Sequence, residues 1–181
     1  MIDDFSLDRS GWARFSDDRR MRYRLARSLT DRPLEVDDGR VRGDRVVTFV
    51  MLNPSTADAF VLDPTIRRCV GFAQDWGADV LQVVNLFAFR STDPQALYAA
   101  PNYYLLGDNL ANNEEIVKAC SGAMRVVAAW GVHGAHRERG KEIRQRLERN
   151  GIELVHLGRT KDGHPKHPLY LAASTAPELW R

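Results

Sequence analysis

The stretch "VVTFVMLNPST" runs from Val46 to Thr56 and joins an apolar segment to a polar turn. Its first seven residues are rich in β-branched side chains and are mostly apolar at both odd and even positions. This pattern is typical of a strand with two buried faces, as found in parallel sheets that helices cover on both sides. The polar turn that follows, Asn53 to Thr56, lies where such a strand would leave the sheet, and it has no obvious packing purpose.

Three later segments repeat the pattern of the first. They are short and mostly apolar on both parities, so each predicts a buried strand. These segments are Val80 to Phe89 ("VLQVVNLFAF"), Arg125 to Trp130 ("RVVAAW") and Ile152 to Leu157 ("IELVHL").

Helices are predicted between the strands. Asp63 is a good N-cap before a first-turn proline, and Gly77 ends the helix that they begin. Asp93-Pro94 opens a shorter helix, and two more are predicted over Asn109 to Cys120 and Arg137 to Gly151.

Strands alternate with helices four times. This order predicts an α/β fold with three layers, α/β/α, and a mostly parallel central sheet. We expect a single domain over residues 1–181, in which residues 1–45 form an N-terminal extension or edge elements that pack on an α/β core over 46–171. Within the N-terminal part, Arg22 to Leu29 could be an alternating edge strand or a short helix.

The composition narrows the class of protein. Hydrophobic residues make up 44% of the 181 and charged residues 28%, which is ordinary for a globular domain. The longest apolar run is too short to cross a bilayer and the start "MIDDFSLD" does not resemble a signal peptide, so we expect a cytoplasmic protein without a membrane partner. With only Cys69 and Cys120, the chain has no disulfide scaffold and no intrachain four-cysteine metal site.

The charge permits an anionic partner but does not require one. The net charge is +2, and five arginines lie between Arg19 and Arg27. Such a cluster is most simply a solvated basic face.

Polar residues follow each predicted strand of the core. Because ligands of open parallel sheets bind beyond the carboxyl ends of the strands, we expect these residues to share one crevice. Amides and imidazoles orient or polarise a ligand without a fixed charge. The residues are Asn53 after the first strand, Asn85 late in the second, Gly131 and His133 after the third, and Gly163, His164 and His167 after the fourth.

Asn85 is the most informative of these residues. It lies in an apolar segment, so its amide is expected to be buried, and a buried amide without partners costs about 1–3 kcal/mol. It could pair with the main chain at an irregularity of the sheet, or offer a donor and an acceptor to a flat heterocycle.

The histidines form two pairs with a spacing of three, His133 with His136 and His164 with His167. A four-histidine metal site is one interpretation, although the prolines around the second pair prevent it from lying on a helix. Alternatively the histidines are structural parts of a rigid turn, or one of them donates to an oxygen that becomes negative during a reaction.

Four motifs in order resemble the uracil-DNA glycosylase superfamily: "LNP", "VLQVVNLFAFR", "VVAAWGVHG" and "HPKHPL". The resemblance covers Val46 to Leu169 and implies a uracil-DNA glycosylase-like fold. More closely, "MLNPSTAD", "DPTIRRC", "NLFAFRSTDP" and "GHPKHPLYL" are similar to an uncharacterised family of bacterial and phage proteins, domain of unknown function 1643, which implies no activity.

The glycosylase resemblance implies roles for individual residues. Asn53 would position water, Asn85 would read the base, and His164 or His167 would stabilise the departing base. The loop after the fourth strand lacks the His-Pro-Ser-Pro pattern of that superfamily, so its contact with a DNA backbone is in doubt, and no clear intercalating loop is present.

The hypothesis is therefore hydrolysis of an N-glycosidic bond in a nucleic acid, a nucleoside or a nucleotide, without a cofactor. Asp58 and Asp63 flank the first loop and could act as base or electrostatic stabiliser, although capping is the simpler role for Asp63. Phe60, Phe87 and Phe89 could stack on a base, but aromatic residues in apolar surroundings are more often part of the core. The predicted catalytic residues are Asn53, Asp58, His164 and His167. The predicted substrate-binding residues are Pro54, Ser55, Thr56, Asn85, Phe87, Arg90, Gly131 and His133.

Two alternatives remain at this stage. The chain could bind a nucleobase, a nucleotide or a nucleic acid without catalysis, or it could be a metal-dependent hydrolase that uses the histidine pairs. The expected partner in the first two hypotheses is a nucleic acid, a free nucleotide or a nucleobase. The sequence leaves the oligomeric state open.

Overall fold

The computed structural model describes residues 2–8, 10–55, 63–93, 95–99 and 109–181. Its strands are β1 (Ile2–Asp8), β2 (Gly11–Ser16), β3 (Arg22–Ser28), β4 (Glu35–Asp37), β5 (Arg40–Arg42), β6 (Val46–Met51), β7 (Val80–Asn85), β8 (Arg125–Ala128), β9 (Leu154–His156) and β10 (Glu178–Leu179). Its helices are α1 (Pro64–Asp75), α2 (Ala96–Ala99), α3 (Asn109–Cys120) and α4 (Arg139–Arg149). None of the helices in these described ranges is long and apolar enough to span a membrane.

One mixed sheet organises the fold. Eight strands lie in the order β1-β2-β3-β7-β6-β8-β9-β10, and β4 and β5 form a separate two-stranded sheet. The four central strands, β7, β6, β8 and β9, are parallel as the sequence predicts. The sheet as a whole is mixed and not mostly parallel, because β1, β2, β3 and β10 pair antiparallel. Only a few residues separate β1 from β2 and β2 from β3, and connections this short join only antiparallel strands.

The segment Arg22 to Leu29 forms a strand and not a helix. It lies inside the sheet, between β2 and β7, so it is not an edge strand. Its alternation of arginine with apolar residues suggests one solvated face, yet Arg22 and Arg24 are both buried.

Helices cover both faces of the sheet, which gives the three layers that the alternation predicts. On one side α1 buries Ile66 and Phe72 against Phe49 of β6, and we name this side the α1 face. On the other side Ile116 of α3 and Ile143 of α4 pack on the same strands.

The helix ends agree with the sequence signals, with one difference. The Asp63 carboxylate accepts a 2.8 Å hydrogen bond from the Ile66 amide and so caps α1. The helix α4 begins at Arg139 instead of Arg137, because Arg137 and Glu138 have φ angles of 53° and 55°. Left-handed residues cannot continue an α-helix.

Candidate functional site

A cavity of about 590 Å³ opens at the carboxyl edge of the parallel strands, on the α1 face. Apolar side chains of Met51, Ile66 and Val83 form part of its wall. Polar residues from separate parts of the chain also contribute to it, among them Arg22, Asn53, Asp63, Asn85, His133 and His167. A mostly apolar cavity of this size with a few converging polar groups is typical of a small-molecule site.

The cavity brings together half of the predicted site residues. Those that line it are Asn53, Ser55, Asn85, Gly131, His133 and His167. Those that do not are Pro54, Phe87, Arg90 and His164, while Thr56 and Asp58 lie outside the described residues. Phe60, suggested above only as a stacking residue, also lies outside them.

Asn85 ends β7 with its side chain on the α1 face, and it is 2% exposed. Among the described residues its Nδ2 has no hydrogen-bond acceptor. Its main-chain carbonyl is satisfied separately, by a 3.1 Å hydrogen bond from Asn112. Most buried amides find a partner in the protein or in ordered water, so this donor is available to a group that enters the cavity.

Asn53 has a structural role as well as a place in the cavity. Its Nδ2 donates to the carbonyl of Ser91 at 2.8 Å and to that of Pro54 at 3.2 Å. The Ser91 amide donates in turn to the Pro54 carbonyl at 2.8 Å, so the loops after β6 and β7 are joined. The amide oxygen Oδ1 of Asn53 is the atom left to bind water or ligand.

His167 is held as a neutral imidazole. Its Nδ1 accepts a 3.3 Å hydrogen bond from the Leu169 amide, at the start of the 3₁₀ turn Pro168–Tyr170. Burial lowers the pKa of His167, and the negative charge of Asp63 partly opposes that shift. Because Nδ1 is an acceptor in this tautomer, Nε2 carries the proton and is the donor available to a ligand.

His164 lies in the same loop but does not line the cavity. Its main chain closes a turn with Thr160, whose hydroxyl accepts from the His164 amide at 3.2 Å. The sequence leaves open which of the two histidines could contact a ligand, and the structure favours His167 because only it lines the cavity.

Asp63 is the one carboxylate among the described residues that line the cavity. Besides capping α1, it accepts a 3.1 Å hydrogen bond from the Ser55 hydroxyl. Its charge raises the pKa of both His167 and Arg22, although burial outweighs it in each case. From the sequence, capping α1 is the simpler role for Asp63. In the structure α1 begins beside the cavity, so the residue that caps it also lines the cavity.

Two of the predicted binding residues are parts of the packing instead. Phe87 is buried on the opposite face of the sheet from α1, with its ring 5.8 Å from that of His136. Arg90 donates to the Arg19 carbonyl at 3.0 Å and lies over the ring of Phe15.

Within the described residues, the two histidine pairs form no cluster that could hold a metal ion. His133 accepts from or donates to the Tyr98 hydroxyl at 3.0 Å, and the His136 ring packs on Tyr98. Across the described ranges no group of three or more histidine, cysteine, aspartate or glutamate residues is placed to hold a metal ion.

Comparison with known proteins identifies a family but no activity. Neither a curated protein nor a solved structure is significantly similar to the chain. The sequence profile of one family, described as "Protein of unknown function (DUF1643)", matches residues 22–169, from β3 to the turn beside His167. Because this match includes most of the chain and the whole cavity edge of the sheet, the chain belongs to the DUF1643 family.

Proposed function

We propose that the cavity binds a nucleobase and that the protein hydrolyses the N-glycosidic bond that joins this base to its sugar. The observation that carries the proposal is the buried Asn85 Nδ2, which has no acceptor among the described residues and lies in the same cavity as the neutral His167 and the Asp63 carboxylate. An amide with a free donor fits the edge of a heterocycle, which presents carbonyl oxygens and ring nitrogens in one plane. A uracil-DNA glycosylase-like arrangement of the sheet is part of this proposal.

The departing base is the first group that the site has to stabilise. When the bond between the base nitrogen and C1′ breaks, the electron pair stays with the base, which becomes negative. The Nε2–H of His167 is suited to donate to an oxygen of that base, and the Asn85 amide holds its edge. A neutral donor works here because it strengthens its hydrogen bond as the charge develops.

The sugar is the second group, since it gains oxocarbenium character as the base leaves. The Asp63 carboxylate is suited to stabilise that positive charge, or to accept a proton from the attacking water. The Asn53 Oδ1 can hold that water. The water oxygen bonds to C1′ as the bond from C1′ to the base nitrogen breaks. One water proton passes to the Asp63 carboxylate and from there to the departed base, so the products are a neutral free nucleobase and a sugar with a hydroxyl at C1′.

The decisive experiment is a product assay with the purified full chain. We expect a free base to appear, by liquid chromatography and mass spectrometry, from at least one member of a panel of nucleosides, nucleotides and DNAs with deaminated or hypermodified bases. Tight binding of a panel member without release of base would instead favour a non-catalytic nucleobase-binding protein. Neither binding nor release across the panel would contradict the proposal.

The two buried asparagines near the site provide a matched prediction. We expect Asn85→Leu to abolish base release while leaving the free energy of unfolding unchanged or higher, because the Nδ2 donor that it removes has no acceptor among the described residues. Asn112→Leu should lower the free energy of unfolding by about 1–3 kcal/mol, because its Nδ2 donates to two carbonyls, those of Asn85 and Leu86. Urea denaturation measures both variants.

A comparable loss of stability in both variants would contradict this reading of Asn85. It would mean that the Asn85 amide stabilises the fold and is not reserved for a ligand. Base release by Asn85→Leu at the wild-type rate would contradict its role in binding the base.

A further inference from the structure

Arg22 is a buried cation that no described residue neutralises. It is 4% exposed, it lines the cavity, and its Nε has no hydrogen-bond acceptor. Among the described residues no carboxylate forms an ion pair with it, and Asp63 acts on it only through space. Burial lowers its pKa to about 10, so the guanidinium is still charged at neutral pH.

The other buried arginines of the described chain, Arg24 and Arg139, have ion-pair partners that Arg22 lacks, although the Nε of Arg24 is also without an acceptor. Arg24 donates to the Gln82 side chain at 2.6 Å and forms a 3.3 Å ion pair with Glu115. Arg139 donates to the Leu86 carbonyl at 2.9 Å and pairs with Glu142 at 2.8 Å. Buried charges are normally paired in this way, because an unpaired one is strongly destabilising.

A β-bulge directs Arg22 into the cavity. Arg14 of β2 is opposite Arg24 of β3, but the next residue, Phe15, is opposite Arg22, so the register shifts by one. Phe15 belongs to the core of the α1 face, and Arg22 shares that face as its cross-strand partner. Without the bulge Arg22 would project to the side where Arg24 lies. Bulges beside active sites often re-aim a side chain in this manner.

We infer that Arg22 is an anion-binding residue and that the ligand of the cavity is a small nucleobase compound that carries an oxyanion, a phosphate or a carboxylate, into the cavity. The identification of the nucleobase part rests on the proposed function. The planar guanidinium binds either oxyanion through two parallel hydrogen bonds. Because Arg22 is buried at the sheet edge, the anion has to enter the cavity whole, which fits a nucleoside monophosphate better than the backbone of duplex DNA. Lys166, an exposed residue of the same cavity, adds a second positive charge.

Thermal unfolding of the full chain with defined anions tests the inference. The probes are inorganic phosphate, acetate, a nucleoside, the matching nucleoside monophosphate and a nucleobase carboxylate. We expect Tm to rise with the anionic compounds and not with the neutral nucleoside, since a ligand that binds only the folded state stabilises it. The stronger effect among the phosphate and the carboxylate probes identifies which oxyanion the site takes.

Two variants give the inference its control. Arg22→Met should be at least as stable as the wild type without ligand, because it removes an unpaired buried charge, and it should bind the anionic compounds about tenfold to hundredfold more weakly. Arg45→Gln removes one positive charge from an exposed ion pair with Asp79, just before β6 at the amino end of the sheet. It should keep the wild-type response to every probe.

Three results would overturn the inference. They are the absence of any anion-dependent rise in the wild-type Tm, an equal loss of the response in Arg45→Gln, and a marked loss of stability in Arg22→Met. Base release separates the inference from the proposed function. Anion binding without any base release would support the Arg22 site and contradict the glycosidic reaction. The opposite result is base release at equal rates from nucleoside and nucleotide, in both the wild type and Arg22→Met. It would contradict the Arg22 site and support the reaction.

Discussion

Replacing His167 by asparagine should lower the rate of base release by about 10²–10³-fold, the usual effect of removing one donor that stabilises a developing anion. The physical reason is the fixed tautomer. The Leu169 amide donates to Nδ1, so Nε2–H is already the donor, and burial keeps the ring neutral by lowering its pKa. An asparagine side chain can still accept from the Leu169 amide, and therefore the variant should keep the turn that His167 begins.

The matched control is His164→Asn in the same loop. It should release base at the wild-type rate, because His164 does not line the cavity. Single-turnover measurements separate the chemical step from binding and product release. Equal losses in the two variants would indicate that the loop as a whole is disturbed, and a loss in His164→Asn alone would reverse the assignment.

The central part of the fold is readable from the sequence because local signals and tertiary packing agree there. Segments apolar on both parities can be stable only between two layers of helices, and the four predicted strands became β6, β7, β8 and β9. The Asp63 cap is a local hydrogen bond between residues three apart, which a sequence displays directly.

The N-terminal part shows where such reasoning ends. Arginine alternates with apolar residues in Arg22 to Leu29, and this pattern fits two kinds of strand: one with a solvated face and one with buried, paired arginines. The pattern does not distinguish them, because the partners of a buried arginine are distant in the chain. Arg24 is buried because Gln82 and Glu115 reach it from β7 and α3. The bulge that turns Arg22 toward the cavity depends on the register with β2, which leaves no mark on composition or spacing.

The sequence predicts where the candidate site lies in the fold, but not which side chains line it. Topology alone brings the residues after parallel strands to one edge, so Asn53, Asn85 and His167 meet as expected. Spacing does not determine which way a side chain faces, and for that reason Phe87 lies in the core while His167 rather than His164 lines the cavity.

Replacing Asp63 by asparagine should lower the rate of base release by about 10²–10⁴-fold, the range for a positioned acid–base group. The charge is lost, whereas asparagine caps a helix about as well as aspartate, so the free energy of unfolding should change by no more than about 1 kcal/mol. The pKa of His167 should fall further below its ordinary value, because the Asp63 charge now holds it up. Nuclear magnetic resonance titration of the His167 ring measures that shift independently of activity.

Two further variants decide between the cap and the chemistry. Asp63→Ser keeps a good N-cap but removes the carboxylate, so it should be as slow as Asp63→Asn if the charge acts in the reaction. Asp75→Asn removes an exposed carboxylate from the other end of α1 and should leave both the rate and the pKa of His167 unchanged. Full base release by Asp63→Ser and Asp63→Asn would reduce Asp63 to a capping residue. The pKa of His167 would still be lower in these variants than in the wild type, because that shift depends only on the distance between His167 and the Asp63 charge. Only the rate of base release therefore identifies Asp63 as a catalytic carboxylate.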